Sequence, residues 1–187
     1  MEKEIGKFMD GFAMVIFGAS GDLTKRKLMP ALYALFCDKK LFGDFIVLGI
    51  GRTVYSDEDY RAYILDNLMT FVDEKDEVLM GEFVTHLHYL SMDPAKKEEY
   101  PALRERLVEL TKDESLHNLL FYLATPPSLY GVVPVYLKSV ELNNPQARII
   151  VEKPFGYDLE SARKLNEIYA SVFDEHQVYR IDHFLGK

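Results

Sequence analysis

Six short strand-like segments recur along this 187-residue chain, several of them almost continuously apolar, and amphipathic helical patterns lie between them. Unbroken apolar strands are typical of a parallel sheet buried on both faces, since a half-exposed strand would alternate. Strand and helix in alternation predict an α/β fold with a doubly wound, mostly parallel six-stranded sheet. The predicted strands are Ala13–Gly18, Phe45–Ile50, Phe83–Leu90, Leu119–Thr125, Arg148–Glu152 and Val178–Asp182.

Local signals place the ends of several helices. Pro30 lacks an N–H, so the first regular helix is expected to begin near Met29. Ser56 and Asp59 form a candidate capping pair, and Asp158 is a candidate N-cap. One further helix is expected around residues 100–110, and another from residue 127, with an internal proline that kinks it or delays its start.

Composition narrows the class of protein. The length suits one domain, and the hydrophobic content of 48% is that of a folded globular chain. The net charge of −8 disfavours nucleic acid and anionic membranes as partners, and no apolar stretch approaches a membrane span. The single cysteine, Cys37, excludes an intramolecular disulfide and multi-cysteine metal clusters, and we predict no metal site. We expect Cys37 to be a packed, inert thiol beside Leu32, Leu35 and Phe36, in a cytoplasmic protein.

Three polar runs follow predicted strands, where open α/β sheets bind their ligands. They are Gly18-Ala19-Ser20-Gly21-Asp22-Leu23, Glu152-Lys153-Pro154-Phe155-Gly156 and Arg180-Ile181-Asp182-His183-Phe184-Leu185-Gly186-Lys187. Although the chain is acidic, cations gather within a few residues of the same strand ends: Lys25, Arg26, Lys27, Arg52, Lys153, Arg180 and Lys187. Together these features indicate a site for a phosphorylated ligand.

The glycine run and the second strand end point to a dinucleotide. Glycines at positions 18 and 21 would let the backbone turn and approach a pyrophosphate, although the run departs from the usual three-glycine fingerprint and a plain linker remains an alternative. After the second strand, Arg52 and Thr53 stand where NAD-selective sheets usually carry a carboxylate. A guanidinium suits a 2′-phosphate, the alternative being a solvated surface arginine.

At this point the sequence resembles the glucose-6-phosphate dehydrogenase family over essentially its whole length. The resemblance is carried by Gly18–Leu23 with Lys25–Leu28, by Phe121–Pro127, by Glu152–Gly156 with Asp158 and Leu159, and by Arg180–Lys187. It implies a Rossmann-like NADP-binding domain over residues 1–187. It also implies oxidation of glucose 6-phosphate to 6-phosphogluconolactone in the pentose phosphate pathway, a part of glucose and carbohydrate metabolism.

The resemblance also implies roles for individual residues. Gly18, Ala19, Ser20, Gly21, Asp22 and Leu23 would form the coenzyme loop, Arg52 would hold the 2′-phosphate, and Lys27 and Tyr130 would lie near the coenzyme. Lys153 would touch both coenzyme and sugar, and the Lys153–Pro154 peptide bond would be cis. His183, Phe184 and Lys187 would bind the sugar phosphate, with Phe184 replacing the family's usual tyrosine. Asp182 would orient a histidine base. The alternatives are a plain salt bridge for Lys153, a structural histidine at 183 and a helix cap at Asp182.

The family's histidine base and its second, α+β domain lie beyond Lys187. We therefore expect the chain to be an N-terminal fragment of a larger enzyme. Alone it is expected to be inactive and compatible with a monomer, whereas the full-length enzyme is expected to be a homo-oligomer. Two other functions stay open at this point: another sugar dehydrogenase with a Glu-Lys-Pro motif, or a non-catalytic NADP-binding module.

Overall fold

A six-stranded sheet in the order β3-β2-β1-β4-β5-β6 forms the centre of the molecule, and all five pairings are parallel. The computed structural model describes residues 11–41, 44–112 and 116–182. The strands are β1 Phe12–Phe17, β2 Phe45–Gly51, β3 Leu87–Ser91, β4 Leu119–Leu123, β5 Arg148–Glu152 and β6 Val178–Ile181. This order confirms the predicted doubly wound, Rossmann-like α/β class, with its switch point between β1 and β4.

Within the described residues, six α-helices connect the strands: α1 Met29–Cys37, α2 Asp57–Phe71, α3 Glu77–Val84, α4 Tyr100–Thr111, α5 Val133–Ser139 and α6 Leu159–Val172. A π-helical turn, Thr24–Leu28, precedes α1, and short 3₁₀ turns occupy Lys97–Glu99, Pro127–Leu129 and Glu175–Gln177. The prediction that α1 becomes regular near Met29 is confirmed. Within the described ranges, no helix has the length and apolarity needed to cross a bilayer.

Each face of the sheet buries its own hydrophobic core. One core places Met14, Ile16 and Val47 beneath α1, α2 and α3. The other places Val15, Phe17 and further strand residues beneath α4, α5 and α6. Successive residues of β1 therefore enter opposite cores, and Ala13–Phe17 are each at most 5% exposed. This burial on both faces explains why the strands read as continuous apolar runs.

The predicted helix starts follow their capping chemistry. Ser56 and Asp59 form a reciprocal capping box, in which the Ser56 side chain accepts from the Asp59 N–H at 3.0 Å. Asp158 caps α6 by accepting from the Ser161 N–H at 2.8 Å. The segment predicted to be helical from residue 127 begins with a 3₁₀ turn, and the regular helix α5 starts only at Val133. The proline at position 134 thus delays the start of α5.

Two expectations were wrong. Phe83 and Val84 belong to helix α3 and not to a strand, because Asp76 caps that helix through the Val78 and Leu79 N–H groups and strand β3 begins only at Leu87. Cys37 is exposed rather than packed, because it is the last residue of α1, beyond the turn that buries Leu32.

Candidate functional site

The first polar run turns at the carboxyl edge of the central strand. Gly18 has φ +89°, which favours glycine, and a Cβ there would collide with the carbonyl oxygen of Ala124 at the end of β4. The N–H groups of Gly18 and Ala19 donate to the Ile50 carbonyl oxygen at 2.9 and 3.0 Å. The loop is therefore pressed against both neighbours of β1, at the switch point where this fold class binds dinucleotides.

Internal hydrogen bonds fix the shape of this loop. The Gly18 carbonyl oxygen accepts from the Gly21 N–H at 2.9 Å and from the hydroxyl of buried Thr24 at 3.0 Å. The chain then enters the π-helical turn and α1 directly, so the loop precedes a helix N-terminus whose first N–H groups have no intrahelical acceptor. Such an arrangement fits a pyrophosphate that approaches the backbone closely.

The carboxylate of Asp22 in this loop is matched by adjacent cations. Its Oδ1 accepts from Arg26 Nε at 2.8 Å and lies 3.3 Å from Lys25 Nζ. The hydrogen bond from Arg26 is the main cause that lowers the pKa of Asp22, and Lys25 adds to it. The next cation, Lys27, is exposed. The negative charge of Asp22 is thus paired with two neighbouring cations.

The end of β2 lies beside the same loop. Thr53 Oγ1 donates to Ser20 Oγ across 3.4 Å, which links the two segments, and Arg52, the residue before Thr53, is exposed. The backbone of Gly51 lies close to the side chains of Tyr89 and Ser20. A Cβ at this position would lie 2.6 Å from the Tyr89 hydroxyl and 3.3 Å from Ser20 Oγ. The structure therefore brings Arg52, Thr53 and Ser20 together at one rim of the predicted coenzyme site.

The described parts of the other two polar runs meet at the ends of β5 and β6. Lys153 Nζ donates to Asp182 Oδ2 at 2.8 Å, and the Lys153 N–H donates to the Ile181 carbonyl oxygen at 3.1 Å. The lysine side chain is 56% exposed and the aspartate 23%, so the pair faces solvent rather than the core. The Lys153–Pro154 peptide bond is cis, which confirms that prediction.

The remaining residues that the sequence analysis singled out are either packed against neighbours or outside the described residues. Tyr130 is only 3% exposed, with its hydroxyl near the backbone of Glu152, and burial raises its pKa. Arg180 is engaged by Glu175 and Asn166 at 2.9 and 3.1 Å, so it packs structurally rather than standing free at the rim. His183, Phe184 and Lys187 lie outside the described residues, and the substrate-binding roles predicted for them remain predictions.

Sequence reasoning missed one polar contact at this edge. The Tyr122 hydroxyl donates to Glu152 Oε1 at 2.6 Å. Tyr122 lies in β4, opposite Ile150 of β5, so the side chain of Glu152 two residues later falls within reach. Only the register of the two strands reveals this pair, because Tyr122 reads in sequence as one more member of an apolar strand.

A cavity of about 700 Å³ occupies the opposite, amino-terminal edge of the sheet. Its lining includes Phe12, Asp44, Ile46, Lys112 and Asn118, none of which belongs to the three polar runs. The described residues also contain no cluster of three His, Cys, Asp or Glu side chains that could hold a metal ion. The described residues of the three polar runs therefore lie at the carboxyl edge, away from this cavity.

Comparison with known proteins identifies the relatives of this chain. The family model described as "Glucose-6-phosphate dehydrogenase, NAD binding domain" matches residues 15–187. A glucose-6-phosphate 1-dehydrogenase of Aggregatibacter actinomycetemcomitans is 48% identical over 93% of this chain, and one of Treponema pallidum is 43% identical over 93%. The chain covers 36% and 35% of those two proteins, so it spans about a third of their length.

Solved structures agree with the sequence relatives. A glucose-6-phosphate dehydrogenase in complex with its substrate glucose 6-phosphate superposes with a TM-score of 0.83 at 36% identity, covering 96% of this chain and 38% of that one. A short-chain dehydrogenase from Streptomyces avermitilis superposes with a TM-score of 0.53 at 11% identity, covering 92% of this chain and 64% of that one. The second likeness shows the fold alone.

Proposed function

This chain belongs to the glucose-6-phosphate dehydrogenase family, as its nicotinamide dinucleotide-binding domain, and we propose that the protein oxidises glucose 6-phosphate with NADP. The observation that carries the proposal is the arrangement of the carboxyl edge. There the glycine loop and Arg52 border one part of the edge, and the Lys153–Asp182 pair stands at the ends of β5 and β6. We place the coenzyme domain over residues 1–187 and the enzyme in the cytoplasmic pentose phosphate pathway, as a homo-oligomer at full length.

The residues present fit a phosphorylated dinucleotide. The backbone of Gly18–Leu23 would hold the pyrophosphate, because the turn lies pressed against Ala124 and leads into a helix N-terminus. Arg52, with Ser20 and Thr53 at its side, would hold the 2′-phosphate that distinguishes NADP from NAD. Lys27 and Tyr130 remain proposed coenzyme contacts. When bound, NADP supplies the hydride acceptor.

The Lys153–Asp182 pair would act at the C1 hydroxyl of the sugar. A lysine ammonium beside the C1 hydroxyl would donate a hydrogen bond and favour the build-up of negative charge as the proton leaves. Asp182 holds that ammonium at 2.8 Å and, in our proposal, also fixes the tautomer of the histidine base. His183 and Lys187 would bind the phosphate of glucose 6-phosphate, with Phe184 beside them.

Steady-state kinetics of the full-length protein test this proposal. We expect glucose 6-phosphate to reduce NADP, and Lys153→Gln to lower kcat/KM by about a hundredfold or more, as loss of one charge-stabilising donor does. Lys164→Gln is the matched control, because Lys164 is also an exposed lysine paired to a carboxylate, Glu160, at 2.7 Å. No turnover of glucose 6-phosphate, or equal losses in the two variants, would contradict the proposal.

A further inference from the structure

Two buried tyrosines converge on the residue that precedes Lys153. The Tyr122 hydroxyl, on a side chain only 4% exposed, donates to Glu152 Oε1 at 2.6 Å. The hydroxyl of Tyr130, 3% exposed, lies near the Glu152 backbone. Tyr122 belongs to the core beneath α1–α3 and Tyr130 to the core beneath α4–α6, so Glu152 is approached from both faces of the sheet.

A short bond from a neutral hydroxyl to a carboxylate is among the stronger side-chain hydrogen bonds. Burial and the Glu152 carboxylate both raise the pKa of Tyr122, so its hydroxyl stays protonated and donates throughout the working pH range. Because the tyrosine ring is packed in the core, the donor is fixed in place. Glu152 therefore has a rigid anchor at its side chain.

The backbone of the same strand end is held from the other side. Glu152 pairs with Ile181 in the register of β5 and β6, and the Lys153 N–H donates to the Ile181 carbonyl oxygen at 3.1 Å. Strand β5 is thus fixed at its end by β4 through a side chain and by β6 through the backbone. Lys153 leaves from this point, and its ammonium meets Asp182 one residue beyond β6.

We propose that Tyr122 is a positioning residue: by anchoring Glu152 it fixes the end of β5 and so holds the Lys153 ammonium on Asp182 in the orientation needed for turnover. Its link to turnover rests on the proposed function. Tyr122 itself lies in the core and is not expected to contact sugar or coenzyme. Its hydroxyl, rather than its ring, carries the effect.

Lysine reactivity tests the positional step without relying on activity. Limited acetylation of the unliganded full-length protein with acetic anhydride, followed by mass spectrometry, reports the reactivity of Lys153 relative to Lys164. We expect Tyr122→Phe to raise this ratio by a factor of about 2–10, the range that corresponds to loss of one net hydrogen bond. Tyr100→Phe is the matched control, because it removes a buried hydroxyl that donates to the Pro94 carbonyl oxygen at 2.9 Å, away from Lys153.

Variants at the other end of the bond guard against a failure of Tyr122→Phe to fold. Glu152→Ala removes the acceptor and should also raise the Lys153 ratio. Glu152→Gln keeps an oxygen that can accept from Tyr122, so its ratio of Lys153 to Lys164 reactivity should lie closer to the wild-type value than that of Glu152→Ala. An unchanged ratio in the Glu152→Ala variant, or a ratio raised equally by Tyr100→Phe, would overturn the inference.

Kinetics then test the link to turnover. Tyr122→Phe should lower kcat by about tenfold, the equivalent of one hydrogen bond, and leave KM for NADP within about twofold. Tyr100→Phe should change neither constant. A raised Lys153 ratio with unchanged kcat would overturn the positioning role. Absence of glucose 6-phosphate turnover in the wild type would refute the proposed function instead, and the acetylation ratios would still decide whether Tyr122 anchors the end of β5.

Discussion

Replacement of Arg52 by alanine should reduce the preference for NADP over NAD. The guanidinium is exposed and follows Gly51 at the carboxyl end of β2, beside the linked Ser20 and Thr53 hydroxyls. A hydrogen bond between charged groups contributes about 1.5–3 kcal/mol, and solvent screening at an exposed site favours the lower end. We therefore expect NADP affinity to fall by about tenfold, with an upper bound near a hundredfold. NAD affinity should change by less than about twofold, since NAD lacks the phosphate.

Calorimetric titration of the full-length protein with each coenzyme measures both affinities. Lys75→Ala is the charge-matched control: it removes one exposed cation from the loop between α2 and α3 and should leave the NADP affinity unchanged. Raising the salt concentration should narrow the gap between wild type and Arg52→Ala, because screening weakens an exposed ion pair. Equal weakening of NADP and NAD by Arg52→Ala would remove Arg52 from the 2′-phosphate and refute this reasoning.

Three further outcomes are expected. Asp57 Oδ1 accepts from the Tyr89 N–H, and Asp57 Oδ2 lies 2.8 Å from His88 Nδ1 and 2.7 Å from an Arg106 guanidinium nitrogen. Burial alone would raise the pKa of Asp57, but these partners outweigh burial and lower it. Asp57→Asn should therefore lower the free energy of unfolding by about 2 kcal/mol at pH 7, as measured by urea titration. The difference between wild type and variant should shrink as the pH falls below about 4, because the Asp57 carboxylate becomes protonated as the pH passes through its lowered pKa. A difference that stays constant with pH would contradict this prediction. Tyr169→Phe removes a buried hydroxyl that has no partner in the described structure, so the Tm should stay equal or rise, and a fall of several degrees would count against this. Residues 1–187 prepared alone should bind NADP but give no NADPH absorbance with glucose 6-phosphate, and turnover within about tenfold of the full-length rate would place the base inside these residues.

Most of the strands, and the edge of the sheet to which the polar runs belong, could be predicted from sequence because each depends on local or periodic information. Continuous apolar runs identify strands buried on both faces, and the polar residues that follow them must share one edge of a parallel sheet. Helix capping by Ser56 and Asp158 could be predicted for the same reason. Each capping side chain accepts from the N–H of a residue only three positions later in the sequence. These features need no knowledge of distant contacts.

The misses have two physical causes, one local and one long-range. Helix α3 is short, and its apolar residues run on toward β3, so the segment from Phe83 resembles a longer strand; only the Asp76 cap distinguishes it. The Asp57–Arg106 contact joins residues 49 apart in sequence, and the Tyr122–Glu152 contact residues 30 apart. Contacts of this kind depend on strand register and helix placement, which composition and periodicity do not specify.

Isotope transfer tests the central claim most directly. The full-length protein would be incubated with NADP and glucose 6-phosphate carrying deuterium at C1, and the reduced coenzyme examined by mass spectrometry and proton NMR. We predict one deuterium on the nicotinamide ring of each NADPH formed, and a slower reaction than with unlabelled sugar if hydride transfer limits the rate. Reduced coenzyme without deuterium, or no reduction at all, would contradict the account.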